Sequence, residues 1–163
     1  MKTNKNKPCL YFSASLISAP NNAYITRVLR KAGLKVMLPQ EFVPSPQAHE
    51  TYELSIYRAC IDAMKSSDAY FLNLDAFRED SSMECGWAAH AGQPAIGYVE
   101  SSLKFLEVWM VKGALDAVFT PNRRIYQVCR KDPMLAGKKL VLLRAPEELG
   151  RGLKRYLDSL PGR

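Results

Sequence analysis

Within Asp80-Ser81-Ser82-Met83-Glu84-Cys85-Gly86-Trp87-Ala88, a glutamate stands behind a short polar run and ahead of small residues. The stretch continues through Ala89-His90-Ala91 to Gly92-Gln93-Pro94 and an apolar run, Ala95–Val99. The pattern predicts a helix over 82–91 that starts close to Glu84, followed by a strand. A carboxylate there would stand near the mouth of an α/β sheet, where such folds place their sites. It would also lie near a helix amino terminus, whose dipole favours the ionised form. An ionised, oriented carboxylate can act as a nucleophile.

The elements that must position this glutamate alternate along the chain. Leu10-Tyr11-Phe12 reads as a first strand that enters a small-residue loop, Ser13-Ala14-Ser15. Residues 21–32 repeat apolar side chains at helical spacing (Tyr24, Ile25, Val28, Leu29), and Gly33 is a candidate C-cap. Strands are predicted at 34–38, 68–74, 95–99, 115–119 and 139–143. Helices are predicted at 49–66, 103–112, 122–131 and 146–160. The proline-rich run 39–46 excludes regular structure there.

Strands that alternate with helices imply parallel βαβ units with right-handed crossovers. The expected fold is α/β: one Rossmann-like or flavodoxin-like three-layer sandwich over 1–163, with a mostly parallel sheet of five or six strands. Residues 1–7 read as a flexible leader. No GxGxxG follows the first strand and no GxxxxGK[ST] is present, which disfavours a dinucleotide fold and a P-loop enzyme.

Composition narrows the classes further. An apolar fraction of 47% and a charged fraction of 24% over 163 residues are ordinary for a globular chain. No apolar run reaches membrane-spanning length, and the basic first residues lack a signal-peptide core. Cys9, Cys60, Cys85 and Cys129 have no paired spacing and read as reduced thiols of a cytoplasmic protein. With His49 and His90 the only histidines and no CxxC, no zinc site is expected. The net charge of +7 is spread diffusely, so a solvated surface is preferred to a nucleic-acid partner. Residues 68–84 hold five acids against one base, a local net charge of −4 that disfavours a phosphodiester groove.

These segments, in this order, resemble the nucleoside 2-deoxyribosyltransferases and the related nucleoside-monophosphate N-glycosidases. The first strand and loop, Leu10-Tyr11-Phe12-Ser13-Ala14-Ser15-Leu16-Ile17, is similar to that family's opening I-Y-x-A-G-P-L-F. Val36-Met37-Leu38-Pro39-Gln40 fits its V-x-L-P-Q strand, and Asp68 fits the acid that enters the third strand. Glu84-Cys85-Gly86-Trp87-Ala88 with Gly92-Gln93-Pro94 fits its E-x-G-x-A signature.

The resemblance implies that Glu84 attacks C1′ of the sugar, that the base leaves, and that a second base or water resolves a glycosyl-enzyme. It implies no cofactor and no metal. Tyr11 would hold the nucleophile, and Gln40 would contact the base. Asp75 and Asp80 would protonate the base or bind hydroxyls, if they do not merely cap turns. Ser13 and Ser15 would contact substrate. Ser81 and Ser82 would bind a sugar hydroxyl or a 5′-phosphate, or else cap the helix. Trp87 and His90 are read as structural.

The partners so implied are a small deoxynucleoside and a free nucleobase, in a homo-oligomer with shared sites. A segment of a neighbour would complete each site. Its nearest counterparts are Asp132-Pro133-Met134 and Val108-Trp109-Met110, neither of which keeps the family's asparagine. Cys60 stands where many members carry an aspartate. The transferase run D-x-G-T-x-x-E is replaced, with Arg78 six residues before Glu84 and Asp80 four before it. The arginine that the glycosidases carry in the first loop is missing. Base exchange between 2′-deoxynucleosides is therefore expected. Hydrolysis of (deoxy)nucleoside 5′-monophosphates and a non-catalytic nucleotide-binding domain remain the alternatives.

Overall fold

The computed structural model describes residues 7–15, 19–42 and 51–161. Six strands form one sheet: β1 (Cys9–Ser13), β2 (Lys35–Met37), β3 (Ala69–Asn73), β4 (Ala95–Tyr98), β5 (Ala117–Thr120) and β6 (Lys139–Leu142). Their order is β2-β1-β3-β4-β5-β6, and every neighbouring pair is parallel. The expectation of five or six mostly parallel strands thus resolves to six, all parallel.

Alternate residues along each strand enter opposite layers, as the pleat requires. Leu10, Phe12, Ala69, Phe71, Ile96 and Phe119 pack on one face with Ile25, Leu29, Leu149, Leu153 and Leu157. These partners come from α1 (Ala19–Lys31) and α6 (Leu149–Asp158). Tyr11, Tyr70, Leu72, Ala95 and Val118 pack on the other face. It is covered by α2 (Tyr52–Ser66), α3 (Glu79–His90), α4 (Trp109–Ala114) and α5 (Arg123–Lys131). Both faces are dry, which is why the central strands read as nearly continuous apolar runs.

Local chemistry sets the helix ends. Thr51 caps α2 by accepting from the Leu54 amide (3.3 Å). Asn122 caps α5 by accepting from the amides of Arg124 and Ile125. Gly33, at φ +86°, ends α1: its amide donates to the Arg30 carbonyl, and that of Leu34 reaches back to Leu29. Gly150 lets α6 lie against α1, because a Cβ there would stand 2.7 Å from the Val28 carbonyl oxygen.

Several boundaries differ from the periodic reading. Helix α3 begins at Glu79, three residues before the expected start, from an extended Arg78 whose side chain makes no cap bond. The expected helix over 103–112 divides into a 3-10 turn (Lys104–Glu107) and α4, with a break at Val108. The break lets Phe105 and Val111 both enter the same core layer. Pro146–Glu148 is a 3-10 turn ahead of α6, and Pro39–Glu41 is a 3-10 turn inside the segment expected to lack regular structure. Both turns place proline at the start, where its missing amide costs nothing. The rest of that loop (43–47), the expected helix start at His49, and Leu16 and Ile17 lie outside the described residues.

Candidate active site

The strand order reverses beside β1. The chain passes from β1 outward to β2, then returns across β1 to β3 and continues the other way. The crevice beyond the carboxyl ends of such strands is where open α/β sheets hold ligands. Tyr11 and Ser13 alternate onto one face of β1 and point toward α3, which follows β3.

Glu84 completes this arrangement from the sixth position of α3. The Tyr11 hydroxyl donates to Glu84 Oε1 (2.7 Å), and the Ser13 hydroxyl donates to Oε2 (2.5 Å). Both carboxylate oxygens are therefore fixed by groups more than 70 residues away in sequence. Burial raises the Glu84 carboxyl above its ordinary range, the two hydroxyls oppose that rise, and Asp80 adds to it. The dipole of a helix end does not set the charge state here, because Glu84 lies beyond the first turn. Tyr11 is held far above its usual titration range by burial and by the adjacent Glu84, so it remains a neutral donor. The Cys60 thiol approaches the Tyr11 hydroxyl from α2, and burial raises it too.

The other expected residues divide. Asp80 is exposed in the first turn of α3, one turn before Glu84. Ser81 is buried, and its carbonyl accepts from the Tyr70 hydroxyl (2.7 Å). The Ser82 hydroxyl donates to the Arg78 carbonyl (3.0 Å). Neither serine caps α3, because the helix starts before them. Ser15 is fastened through its backbone: its amide donates to the Ala76 carbonyl and its carbonyl accepts from the Asn22 side chain.

The Asp75 carboxylate accepts from the amides of Glu100, Ser101 and Ser102 and from the Ser101 hydroxyl. It clamps the end of β3 to the segment after β4. The carboxylate expected to serve a leaving base is thus committed to main chain. Gln40 is exposed on its 3-10 turn and lines a cavity of about 750 Å³ with Asn22, Thr26, Arg27, Arg30 and Leu38, a lining without Glu84.

Asp132 and Met134 lie between the end of α5 and the start of β6, toward the amino-terminal edge of the sheet and away from the site. Asp132 pairs with the buried Lys112 (2.7 Å) and accepts from the Met134 amide. They do not join Glu84 within one chain. Trp109 and Met110, in contrast, are 73% and 81% exposed at the start of α4.

Sequence reasoning missed a buried polar chain beside the site. The Asn73 side chain donates to Asn22 Oδ1, Asn22 donates to the Ser15 carbonyl, and the Asp75 amide donates to Asn73 Oδ1. These bonds fasten the loop after β1 to the end of β3. The signal was visible: an asparagine interrupts the apolar run Ala69–Leu74, and a buried amide needs partners.

Among the described residues, no cluster of His, Cys, Asp and Glu is arranged to hold a metal ion. No described helix is long and apolar enough to cross a membrane.

The family model described as nucleoside 2-deoxyribosyltransferase matches residues 10–137. A conserved protein from Enterococcus faecalis V583 superposes with a TM-score of 0.56 at 16% identity, covering 93% of this chain and 99% of that one. A 2-deoxyribosyltransferase from the psychrotolerant Bacillus psychrosaccharolyticus superposes with a TM-score of 0.54 at 17% identity, covering 80% of this chain and 97% of its own. At those identities the likeness speaks for the fold alone. No curated protein matches the sequence.

Proposed function

Because this chain belongs to the nucleoside 2-deoxyribosyltransferase family, we propose that it exchanges nucleobases between 2′-deoxyribonucleosides, with Glu84 as the nucleophile. One observation carries the reading: both Glu84 oxygens are aimed and held by neutral hydroxyls at the strand-order reversal.

In the first step a Glu84 oxygen bonds to C1′ while the C1′–N bond breaks and its electron pair leaves with the base. The departing base needs a proton, and Asp80, exposed one turn before Glu84, is the nearest carboxyl on α3. In the second step a nitrogen of the incoming base attacks C1′, its N–H proton passes to the Asp80 carboxylate that protonated the first base, and Glu84 leaves as a carboxylate. Two inversions give net retention, as in a retaining glycosidase. Tyr11 and Ser13 hold the carboxylate before attack and receive it again at the end.

The substrate is an uncharged nucleoside in this reading. Ser82 spends its hydroxyl on the Arg78 carbonyl and Ser81 is buried, so the pair offers no phosphate cradle. Asp80 and Glu84, one turn apart on α3, would repel a dianion. We also propose a homo-oligomer, supported by the exposed Tyr52, Tyr57, Met83, Trp109 and Met110 on α2, α3 and α4. Trp109 and Met110 are better placed than the committed Asp132 to reach a neighbour's site. The four cysteines are unpaired, in keeping with a cytoplasmic setting.

The test incubates the protein with deoxyinosine and free adenine. Formation of deoxyadenosine supports the proposal. Free base released from deoxynucleoside 5′-monophosphates alone would replace it with hydrolysis, and no turnover in either mixture would replace it with non-catalytic binding.

A further inference from the structure

We infer that Tyr70 is a positioning residue for Glu84, an inference that rests on the nucleophile reading above. Tyr70 is fully buried on β3, in register with Tyr11 on β1. Their rings stack with centroids 6.1 Å apart and an interplanar angle of 20°. The Tyr70 hydroxyl donates to the Ser81 carbonyl (2.7 Å), three residues before Glu84 and on the same side of α3. Its oxygen also faces the Ser13 side chain and lies in the field of Glu84. One side chain therefore touches both residues that donate to Glu84 and the helical turn that carries it.

A buried tyrosine hydroxyl needs an acceptor, and many core carbonyls would serve. What separates Tyr70 from an ordinary core tyrosine is where the acceptor lies. The bond fixes the distance between β3 and the first turn of α3, and that distance sets how far Glu84 stands from Tyr11 and Ser13. Those two hydroxyls hold the Glu84 titration down against burial. Lengthening their bonds lets it rise. The ionisable groups around Glu84 are Tyr11 from β1, Tyr70 from β3, Cys60 from α2, and Asp80 and Cys85 on α3 itself. Removing the Tyr70 hydroxyl deletes a neutral group and adds or removes no charge among the others.

The test is Tyr70→Phe, which keeps the ring and its stacking. Carboxyl ¹³C NMR follows the Glu84 titration, assigned by its loss in Glu84→Gln, and the pH profile of base exchange is recorded alongside. The Glu84 midpoint and the acidic limb of activity should both move up by about half a pH unit, a threefold change in the ionised-to-protonated ratio. kcat should fall about tenfold, with KM changed less. A variant that melts lower yet leaves the midpoint and kcat unmoved would reduce Tyr70 to core packing. If the wild type exchanges no bases, the nucleophile reading fails on its own, while the titration still decides Tyr70. If Tyr70→Phe does not fold, the wild-type Tyr70 hydroxyl proton serves instead. It should shift as Glu84 ionises and lose that shift in Glu84→Gln, and an invariant proton would overturn the inference.

Discussion

Two carboxylates sit in the same helical layer and meet opposite fates. Among the described residues, Glu84 is bound by the neutral hydroxyls of Tyr11 and Ser13, and burial leaves its carboxyl above the ordinary range. Asp132 is pushed up by burial as well, but the Lys112 ammonium and the amides of Met134 and Leu135 outweigh that and leave it below its ordinary range. A carboxylate given a cation is locked into the fold, because its charge is already spent. A carboxylate given hydroxyls alone stays oriented and underneutralised, and an electrophilic carbon can still compete for it. The comparison separates a charge neutralised within the fold from one that is oriented without a cation, as the proposed nucleophile requires.

The largest effect that would break this contrast belongs to Glu84→Gln. Base exchange should fall by about 10³-fold or more, measured by chromatography of deoxyinosine–adenine mixtures. Stability should move the other way. A carboxyl raised by folding contributes stability below its unfolded pKa and loses it as pH rises through its folded value. The variant should therefore melt no lower than wild type at pH 7, and its advantage should vanish below about pH 4. A variant that melts several degrees lower at pH 7 would show that Glu84 holds the fold after all.

Lys112→Met tests the opposite member. Removing one partner of a buried pair leaves an uncompensated charge, at about 3 kcal/mol, or roughly 6–12 °C in melting temperature for a chain of this size. Activity per folded molecule should be unchanged. The sign reverses relative to Glu84: a lowered carboxyl contributes stability above its unfolded pKa and loses it as pH falls through its folded value. The gap between wild type and variant should thus close in acid, below about pH 4, and a gap of constant size across the titration would refute the ion-pair account.

Tyr11→Phe sharpens the Glu84 side. It deletes one of two donors, for a loss of about 10–100-fold in exchange rate. The acidic limb of the pH profile should move up, because the lost bond was holding the titration down. A limb that moves down instead would contradict this electrostatic account. The smallest effect belongs to a third carboxylate. Asp75 is given amide and hydroxyl donors, yet all of them belong to the segment after β4 and three of the four are backbone. Asp75→Asn should destabilise by about 1 kcal/mol and slow exchange less than tenfold. A loss as large as that of Glu84→Gln would place Asp75 in the chemistry rather than the scaffold.

The alternation of strands and helices was legible because both layers of a parallel sheet are dry and each helix buries one stripe. The expected pairing of Tyr11 with Glu84 is present as a hydrogen bond. Less legible was the start of α3. Arg78 enters it extended with no side-chain cap, so no cap residue marked the boundary. That shift of three residues moved Ser81 and Ser82 from cap positions into the helix. The fate of Asp75 could not be read either, since its donors lie 25–27 residues later and arrive only when β4 pairs with β3. The pairing of Asp132 could not be read for the same reason: its partner comes from another helix.

What the sequence determined by itself was the class of sheet and which carboxylate stands behind a polar run at the head of a small-residue helix, because period and residue type act within a few positions. The tertiary structure decided which partners each of the four expected acids receives: hydroxyls for Glu84, amides and a hydroxyl for Asp75, a lysine for Asp132, while Asp80 stays exposed. Charge state and orientation depend on groups brought within hydrogen-bonding distance across the sheet, and such distances are set by packing of strands and helices far apart in the chain.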